Sequence, residues 1–177
     1  AIAADFVEAN AKQFVWLFWL ARWVCIPFSL LGGLICFLWA RELYGERAGL
    51  AALGLWCFCP NILAHAHLMT SDAAAAAVGV ATAYVFRVWA RQPSWTRAII
   101  CGAALGTAQL TKLNLVVLYP VWISVWAAWR WPAFSTIPPA KRANEAAQVG
   151  LAVIVSLWVI AIGYFGNGWG KRLDEFA

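Results

Sequence analysis

Charged residues are scarce in this sequence: only 12% of the chain is Asp, Glu, Lys or Arg, whereas 64% is hydrophobic. The mean hydropathy is +0.72. Typical soluble domains are about 25% charged and about 45–50% apolar. The shortage of charge excludes a water-soluble globular protein, because too few polar side chains are available to cover its surface. The sequence therefore predicts a polytopic membrane protein.

The sequence also lacks a CxxC pair. Its five cysteines lie within or at the ends of apolar runs, where a free cysteine behaves as a small buried hydrophobe. Cys57 and Cys59 leave a metal or redox pair open as the alternative. The net charge of +5 requires no nucleic-acid partner, because Lys and Arg cluster in the loops as membrane topology demands.

Carboxylates are the scarcest charged groups, with eight Asp and Glu in 177 residues. Asp72 is the only one between Glu46 and Glu145. It closes the stretch PNILAHAHLMTSDA, a short polar interruption between apolar segments that also contains both histidines of the chain, His65 and His67. Acid–base or sugar chemistry in this part of the chain therefore has Asp72 as its one obvious candidate.

The apolar runs predict an all-α, polytopic bundle of about six transmembrane spans in a single domain, residues 1–177. Residues 1–15 are predicted to be an outer interfacial segment, and residues 166–177 the start of an extracytoplasmic segment. The run 98–129 would form a helix of about 48 Å, more than one crossing needs, so we predict two short helices that meet near Lys112. The predicted spans are residues 16–40, 48–59, 73–90, the two helices within 98–129, and 146–165.

The distribution of basic residues predicts the topology, because cytoplasmic loops carry an excess of Lys and Arg. If the N-terminus lies outside, eight of the 13 basic residues fall in inside loops. Both termini and the stretch 60–73 are then extracytoplasmic, and the protein is predicted to lie in the inner (plasma) membrane. The eight residues are Arg41, Arg47, Arg87, Arg91, Arg97, Arg130, Lys141 and Arg142.

Ionisable groups at membrane depth usually face a cavity or a partner, so they are candidates for an outward-facing site. In this hypothesis Asp72 takes a proton from a hydroxyl, while Arg22 and Lys112 hold a phosphate. Alternatives stay open for each: Asp72 could cap the following helix, and Arg22 and Lys112 could extend to the headgroups.

The two histidines have three open roles. They could hydrogen-bond a phosphate or sugar, serve as structural interfacial residues, or bind a divalent metal together with Asp72 if the stretch is extended. Asn61, in the same stretch, is a further substrate-binding candidate. A divalent metal is a candidate cofactor, and no other cofactor is predicted.

Several motifs, in this order and spacing, carry a family resemblance. They are an Arg at the head of a span (Arg22), the turn RELYG, the segment PNILAH, the Thr-Ser-Asp before the next helix, the run GAALGTAQLTKLNLVVL, and the closing VIAIGYFGNGWGKRL. Across roughly residues 20–170 the chain resembles the N-terminal half of dolichyl-phosphate-mannose protein mannosyltransferases, glycosyltransferase family 39, in their broad bacterial form.

The resemblance implies the GT-C architecture, a helical membrane domain with its active site on the extracytoplasmic face. It also implies a polyprenyl-phosphate-linked sugar donor and a protein or lipid hydroxyl as acceptor, in contact with membrane lipids. Asp72 matches an acidic residue of the family's second outer loop. The family's first-loop acidic motif, usually taken as the catalytic carboxylate, would precede residue 16. Only Asp5 and Glu8 stand there, so we expect a fragment that is inactive alone.

Two other function classes remain open from the sequence. A transporter or flippase for an anionic lipid or substrate could use Arg22, Lys112 and Asp72 near a broken helix, although no inverted repeat is visible. A non-catalytic membrane subunit would keep the fold without the chemistry.

Overall fold

The computed structural model describes residues 10–66, 70–131 and 138–165. These residues form seven α-helices and one 3₁₀ helix and contain no strand, which confirms the all-α prediction. The α-helices are α1 (Phe14–Tyr44), α2 (Glu46–Cys57), α3 (Pro60–Ala66), α4 (Asp72–Arg91), α5 (Trp95–Thr111), α6 (Leu118–Arg130) and α7 (Pro139–Gly163); the 3₁₀ helix, Leu113–Val117, precedes α6.

Four of the described segments are long and apolar enough to cross a membrane. They are α1, α4, α7 and the combined segment Leu113–Arg130. The other two of the six predicted spans correspond to shorter helices: α2 has 12 residues and α5 has 17. At 1.5 Å per residue α2 is about 18 Å long, less than the hydrocarbon thickness of about 30 Å. The described chain thus contains a multi-pass helical bundle with four full-length candidate spans.

The connection between the predicted spans 16–40 and 48–59, which contains the turn RELYG, is shorter in the structure. Helix α1 continues through Arg41 and Glu42, and the chain breaks only at Gly45, whose φ is 91°. Residues with a Cβ rarely adopt this backbone conformation, whereas glycine adopts it readily. The Gly45 N–H donates to the Arg41 carbonyl at 2.9 Å and closes the helix end.

Two segments predicted as loops are partly helical. The first contains α3, which begins at Pro60; proline is favoured at the first helical position because its missing N–H is not needed there. The second contributes the first turns of α7, which likewise begins at a proline, Pro139. The break predicted near Lys112 is confirmed, because Lys112 has extended backbone angles (φ −157°, ψ 121°) between α5 and the 3₁₀ helix.

The chain divides into two compact units, Ala1–Ala77 and Val78–Ala177, and α4 begins in the first and continues in the second. In the first unit, α1 packs against α2. The ring of Trp56 lies over Gly32 and Gly33, where a Cβ would collide with it. Its indole N–H donates to the Ser29 carbonyl at 2.9 Å. Small residues thus let the two helices approach closely, as is common between membrane helices.

In the second unit, α5 packs against α7. Gly102 and Gly106 face the α7 backbone at Ala152 and Ser156. Beside this contact the buried side chains form one apolar core, which consists of Phe86, Trp89, Ala98, Cys101, Leu105, Trp122 and Ala152. The Phe86 and Trp122 rings stack with centroids 4.5 Å apart.

The α5–α7 contact predicts a strong effect of Gly102→Val. A Cβ at Gly102 would lie 2.5 Å from the Ala152 carbonyl oxygen, so the backbones must separate, at a cost of at least about 2 kcal/mol. The thermal unfolding midpoint of the purified full-length protein in detergent should fall. Gly150→Val is the matched control, because nothing lies within 4 Å of a Cβ there. Equal midpoints for the two variants would contradict this packing.

Candidate active site

The first unit brings an imidazole, a hydroxyl and a carboxylate together. His65 lies in the last turn of α3, and Asp72 is the first residue of α4. The His65 Nδ1 atom is 3.2 Å from the Thr70 Oγ1 atom and 3.5 Å from the Asp72 Oδ2 atom. Residues seven positions apart therefore meet where one helix ends and the next begins.

Local structure explains these positions. Helix α4 starts at Asp72, and the carbonyl of the preceding Ser71 accepts the Ala75 N–H at 2.7 Å. A carboxylate in the first helical turn is stabilised by the partial positive charge of the helix N-terminus. The alanine-rich sequence that follows favours the helix strongly. The side chain of Asp72 is thereby held on a rigid element.

The cluster is accessible to a substrate. The side chain of His65 is 38% exposed to solvent, and that of Asp72 is 40% exposed. A half-exposed pair can bind and exchange protons with another molecule.

The remaining predicted site residues differ in how the structure places them. Asn61 is exposed in the first turn of α3, four residues before His65 and therefore on the same helical face. The Arg22 guanidinium lies 5.6 Å from the centroid of the Phe18 ring and 5.8 Å from that of Trp19. That Arg22 and Asp72 belong to one site stays a prediction.

Lys112 belongs to the second unit. Its backbone links α5 to the 3₁₀ helix: its N–H donates to the Ala108 carbonyl at 3.1 Å, and its carbonyl accepts the Leu115 N–H at 3.0 Å. The Gln109 amide also donates to the Leu115 carbonyl at 2.9 Å. Lys112 therefore stands at an ordered helix break, and its proximity to Asp72 stays a prediction.

The metal hypothesis assumed that His65 and His67 lie in an extended segment. His65 is helical, so that geometry does not apply to it, and His67 lies outside the described residues. Within residues 10–66, 70–131 and 138–165, no group of three or more His, Cys, Asp or Glu side chains could hold a metal ion. A divalent metal at this site stays a prediction from the sequence.

Comparison with protein families decides the class of protein. The family model described as dolichyl-phosphate-mannose-protein mannosyltransferase matches residues 11–160. The chain belongs to this family. Comparison with curated proteins and with solved structures gives no match.

The matched residues of this mannosyltransferase-family chain include the whole His65–Thr70–Asp72 cluster and both candidate cations, Arg22 and Lys112. The resemblance inferred from the motifs is therefore confirmed at the level of the family. Together with the apolar helices, the match defines a multi-pass membrane protein of the GT-C glycosyltransferase type.

Sequence reasoning missed two features of the mannosyltransferase-family chain. The first is the contact of Thr70 with His65, for which the Thr-Ser-Asp motif was the available signal. In the second unit, the Arg130 guanidinium forms an ion pair with Glu145, with Nε–Oε2 and Nη2–Oε1 distances of 2.7 and 3.0 Å. Their spacing of 15 residues, across a proline-rich segment, gave no indication of contact.

The second unit also contains an apolar cavity of about 30 Å³, lined in part by Phe86, Trp122 and Leu105. Its wall is apolar, so it offers a sugar no polar group. The His65–Thr70–Asp72 cluster therefore remains the candidate active site.

Proposed function

We propose that the protein is a membrane glycosyltransferase that moves a sugar from a polyprenyl-phosphate donor to a hydroxyl of a protein or lipid. The observation that carries the proposal is the family match over residues 11–160. The matched region holds a carboxylate and an imidazole within 3.5 Å of each other and half exposed. A carboxylate or an imidazole can accept the proton of an acceptor hydroxyl in such a transfer.

The reaction has two requirements, and different candidate residues can meet each of them. The acceptor hydroxyl must be oriented and lose its proton, which is the role assigned to the cluster around Asp72. The departing phosphate must be stabilised, which suits the cations of Lys112 and Arg22. His65, His67 and Asn61 would line the sugar-phosphate pocket, His67 on the strength of the sequence alone.

The proposed location is the extracytoplasmic face of the plasma membrane. The support is the six-span topology predicted from the sequence, in which α2 crosses the bilayer although it is only about 18 Å long and the inside loops carry the excess of Lys and Arg. That topology puts the cluster and both chain ends on the opposite side. A lipid-linked donor fits this location, because its polyprenyl chain stays in the bilayer while its sugar-phosphate reaches the surface.

The experiment is a transfer assay with membranes that contain the full-length protein. Radiolabelled sugar is supplied on a polyprenyl phosphate, beginning with mannose, and in parallel as the nucleotide sugar. We expect label to reach protein or lipid from the polyprenyl-phosphate donor only. Membranes without the protein give the background. No transfer from any polyprenyl-phosphate sugar would refute the proposal and favour a transport or structural role.

A further inference from the structure

Four helix ends meet at one end of the second unit, and the Arg130 guanidinium joins three of them. Arg130 is the last residue of α6 and forms an ion pair with Glu145 of α7. Its Nη2 atom also donates to the Ala90 carbonyl, in the last turn of α4, at 3.5 Å. The N-terminus of α5 follows α4 after three residues. We call this region the basic end, after the six cations that it holds: Arg87, Arg91, Arg97, Arg130, Lys141 and Arg142.

The basic end carries far more positive than negative charge. Between residues 73 and 165 the sequence contains seven basic residues, of which all but Lys112 lie at this end, and one carboxylate, Glu145. That carboxylate pairs with Arg130. The Arg97 guanidinium donates to two oxygens of Gln92, at 2.7 and 2.8 Å. These are neutral acceptors, so the charge of Arg97 is not neutralised.

The helix geometry makes several of these charges unfavourable within the protein itself. A helix N-terminus carries partial positive charge, so a cation in the first turn is repelled. Lys141 and Arg142 lie in the first turn of α7 and Arg97 in that of α5, and neither turn contains an acidic residue. Arg87 and Arg91 are four residues apart on α4, where like charges repel each other. An anion from outside the chain would offset this repulsion.

The basic end lies at the depth of the lipid headgroups. Three of the four candidate spans, α4, Leu113–Arg130 and α7, have one end here. Trp95, Trp129 and Trp131 lie at the same end and are exposed, and tryptophan is enriched where a membrane protein meets the membrane–water interface. The abundant anions at that depth are the phosphates of phospholipids. Basic sites between membrane helices bind anionic headgroups on the cytoplasmic side, which is where the predicted topology puts these cations.

We propose that the basic end binds the headgroup of an anionic phospholipid, whose acyl chains lie against the neighbouring apolar helices. Arg91 and Lys141 are exposed and available to a headgroup. The helices that carry them are joined by the Trp89 indole, which donates to the Gln148 Oε1 atom at 2.9 Å. This hydrogen bond and the contacts of Arg130 hold the cations in place before a lipid binds, which reduces the entropy lost on binding.

The first unit offers a contrast within the same chain. The connection between α1 and α2 carries two cations, Arg41 and Arg47, and two carboxylates, Glu42 and Glu46, and all four are exposed. Opposite charges therefore balance locally, and an anion would gain little there. The proposed lipid site depends on the uncompensated charge of the second unit, and it is independent of the proposed sugar transfer.

The test is a lipid titration of the purified full-length protein in detergent, followed by native mass spectrometry. Phosphatidylglycerol and phosphatidylcholine with identical acyl chains are compared. We expect phosphatidylglycerol to bind at least about tenfold more tightly. The double variant Arg91→Gln/Lys141→Gln should lose about fivefold in phosphatidylglycerol affinity for each cation removed, or about 30-fold together. Its affinity for phosphatidylcholine should not change.

The matched control is Arg41→Gln/Arg47→Gln, which removes the same charge from the first unit and should bind phosphatidylglycerol nearly as the wild type does. Arg91→Lys/Lys141→Arg keeps both charges and should also bind normally. If the first double variant does not fold, Lys141→Gln alone replaces it. Because Lys141→Gln removes a cation from a helix N-terminus, it should not lower the unfolding midpoint without lipid, yet it should weaken phosphatidylglycerol binding about fivefold.

Three results would overturn the inference. Equal binding of the two lipids would favour an acidic protein as the partner of the basic end. Equal losses in the two charge-removing double variants would assign the effect to net charge rather than to this site. Full competition by inorganic phosphate would identify a free phosphate as the ligand. None of these measurements involves sugar transfer, so this inference and the proposed function can fail separately.

Discussion

Asp72→Asn is expected to lower kcat for sugar transfer by about 10²- to 10⁴-fold while the protein remains folded in the membrane. The asparagine has nearly the same shape but carries no charge, and its amide group can donate as well as accept. It cannot take the proton of the acceptor hydroxyl, and it places no negative charge beside the His65 ring. The measurement is the initial rate of transfer at saturating donor, with membrane insertion checked in parallel.

Glu46→Gln is the matched control for this variant. Glu46 lies in the first turn of α2, as Asp72 lies in the first turn of α4. Both substitutions remove one negative charge from a helix N-terminus, which costs about 0.3–1 kcal/mol of stability. Of these two carboxylates, Asp72 is the one that contacts His65. The Glu46→Gln variant should therefore transfer sugar at nearly the wild-type rate. Equal losses in both variants would point to helix stability and against a role in the site.

Arg130→Ala should destabilise the second unit by about 3–5 kcal/mol, because it leaves a buried carboxylate without its ion-pair partner. The Glu145 side chain is only 3% exposed, and both of its oxygens face the Arg130 guanidinium. Without that partner the buried carboxylate loses its ion pair. The measurement is the thermal unfolding midpoint of the purified full-length protein in detergent, for which we expect a clear decrease.

The two partners should not be equivalent. Glu145→Ala leaves Arg130 without its ion-pair partner, but the Arg130 side chain is 20% exposed and can reach solvent. Glu145→Ala should therefore reduce stability less than Arg130→Ala does. The double alanine variant should be more stable than Arg130→Ala alone, because it leaves no buried charge. Lys141→Ala, which removes an exposed cation from the first turn of α7, is the control. A loss below about 1 kcal/mol for Arg130→Ala would contradict the predicted role of the pair.

The comparison of α3 with the sequence shows what local patterns leave open. PNILAHA contains a proline and polar residues, which indicate a break between spans, and the break is present between Cys57 and Pro60. That the stretch re-forms a helix, and so brings His65 toward Asp72, depends on packing against its neighbours. An isolated seven-residue helix is marginal in water, so sequence periodicity alone gave no basis for it.

The sequence alone determined the membrane class, the all-α fold and the helix break at Lys112, and it singled out Asp72 as the candidate carboxylate. These follow from the composition, from the lengths of the hydrophobic runs and from the rarity of carboxylates, all of which can be read from the order of the residues alone. Only the tertiary structure decided that Thr70 joins His65 and Asp72, that Arg130 pairs with Glu145, and which helices are long enough to be candidate spans. Contacts between distant residues depend on how helices end and pack, because a shift of one residue turns a side chain by about 100° around the helix axis.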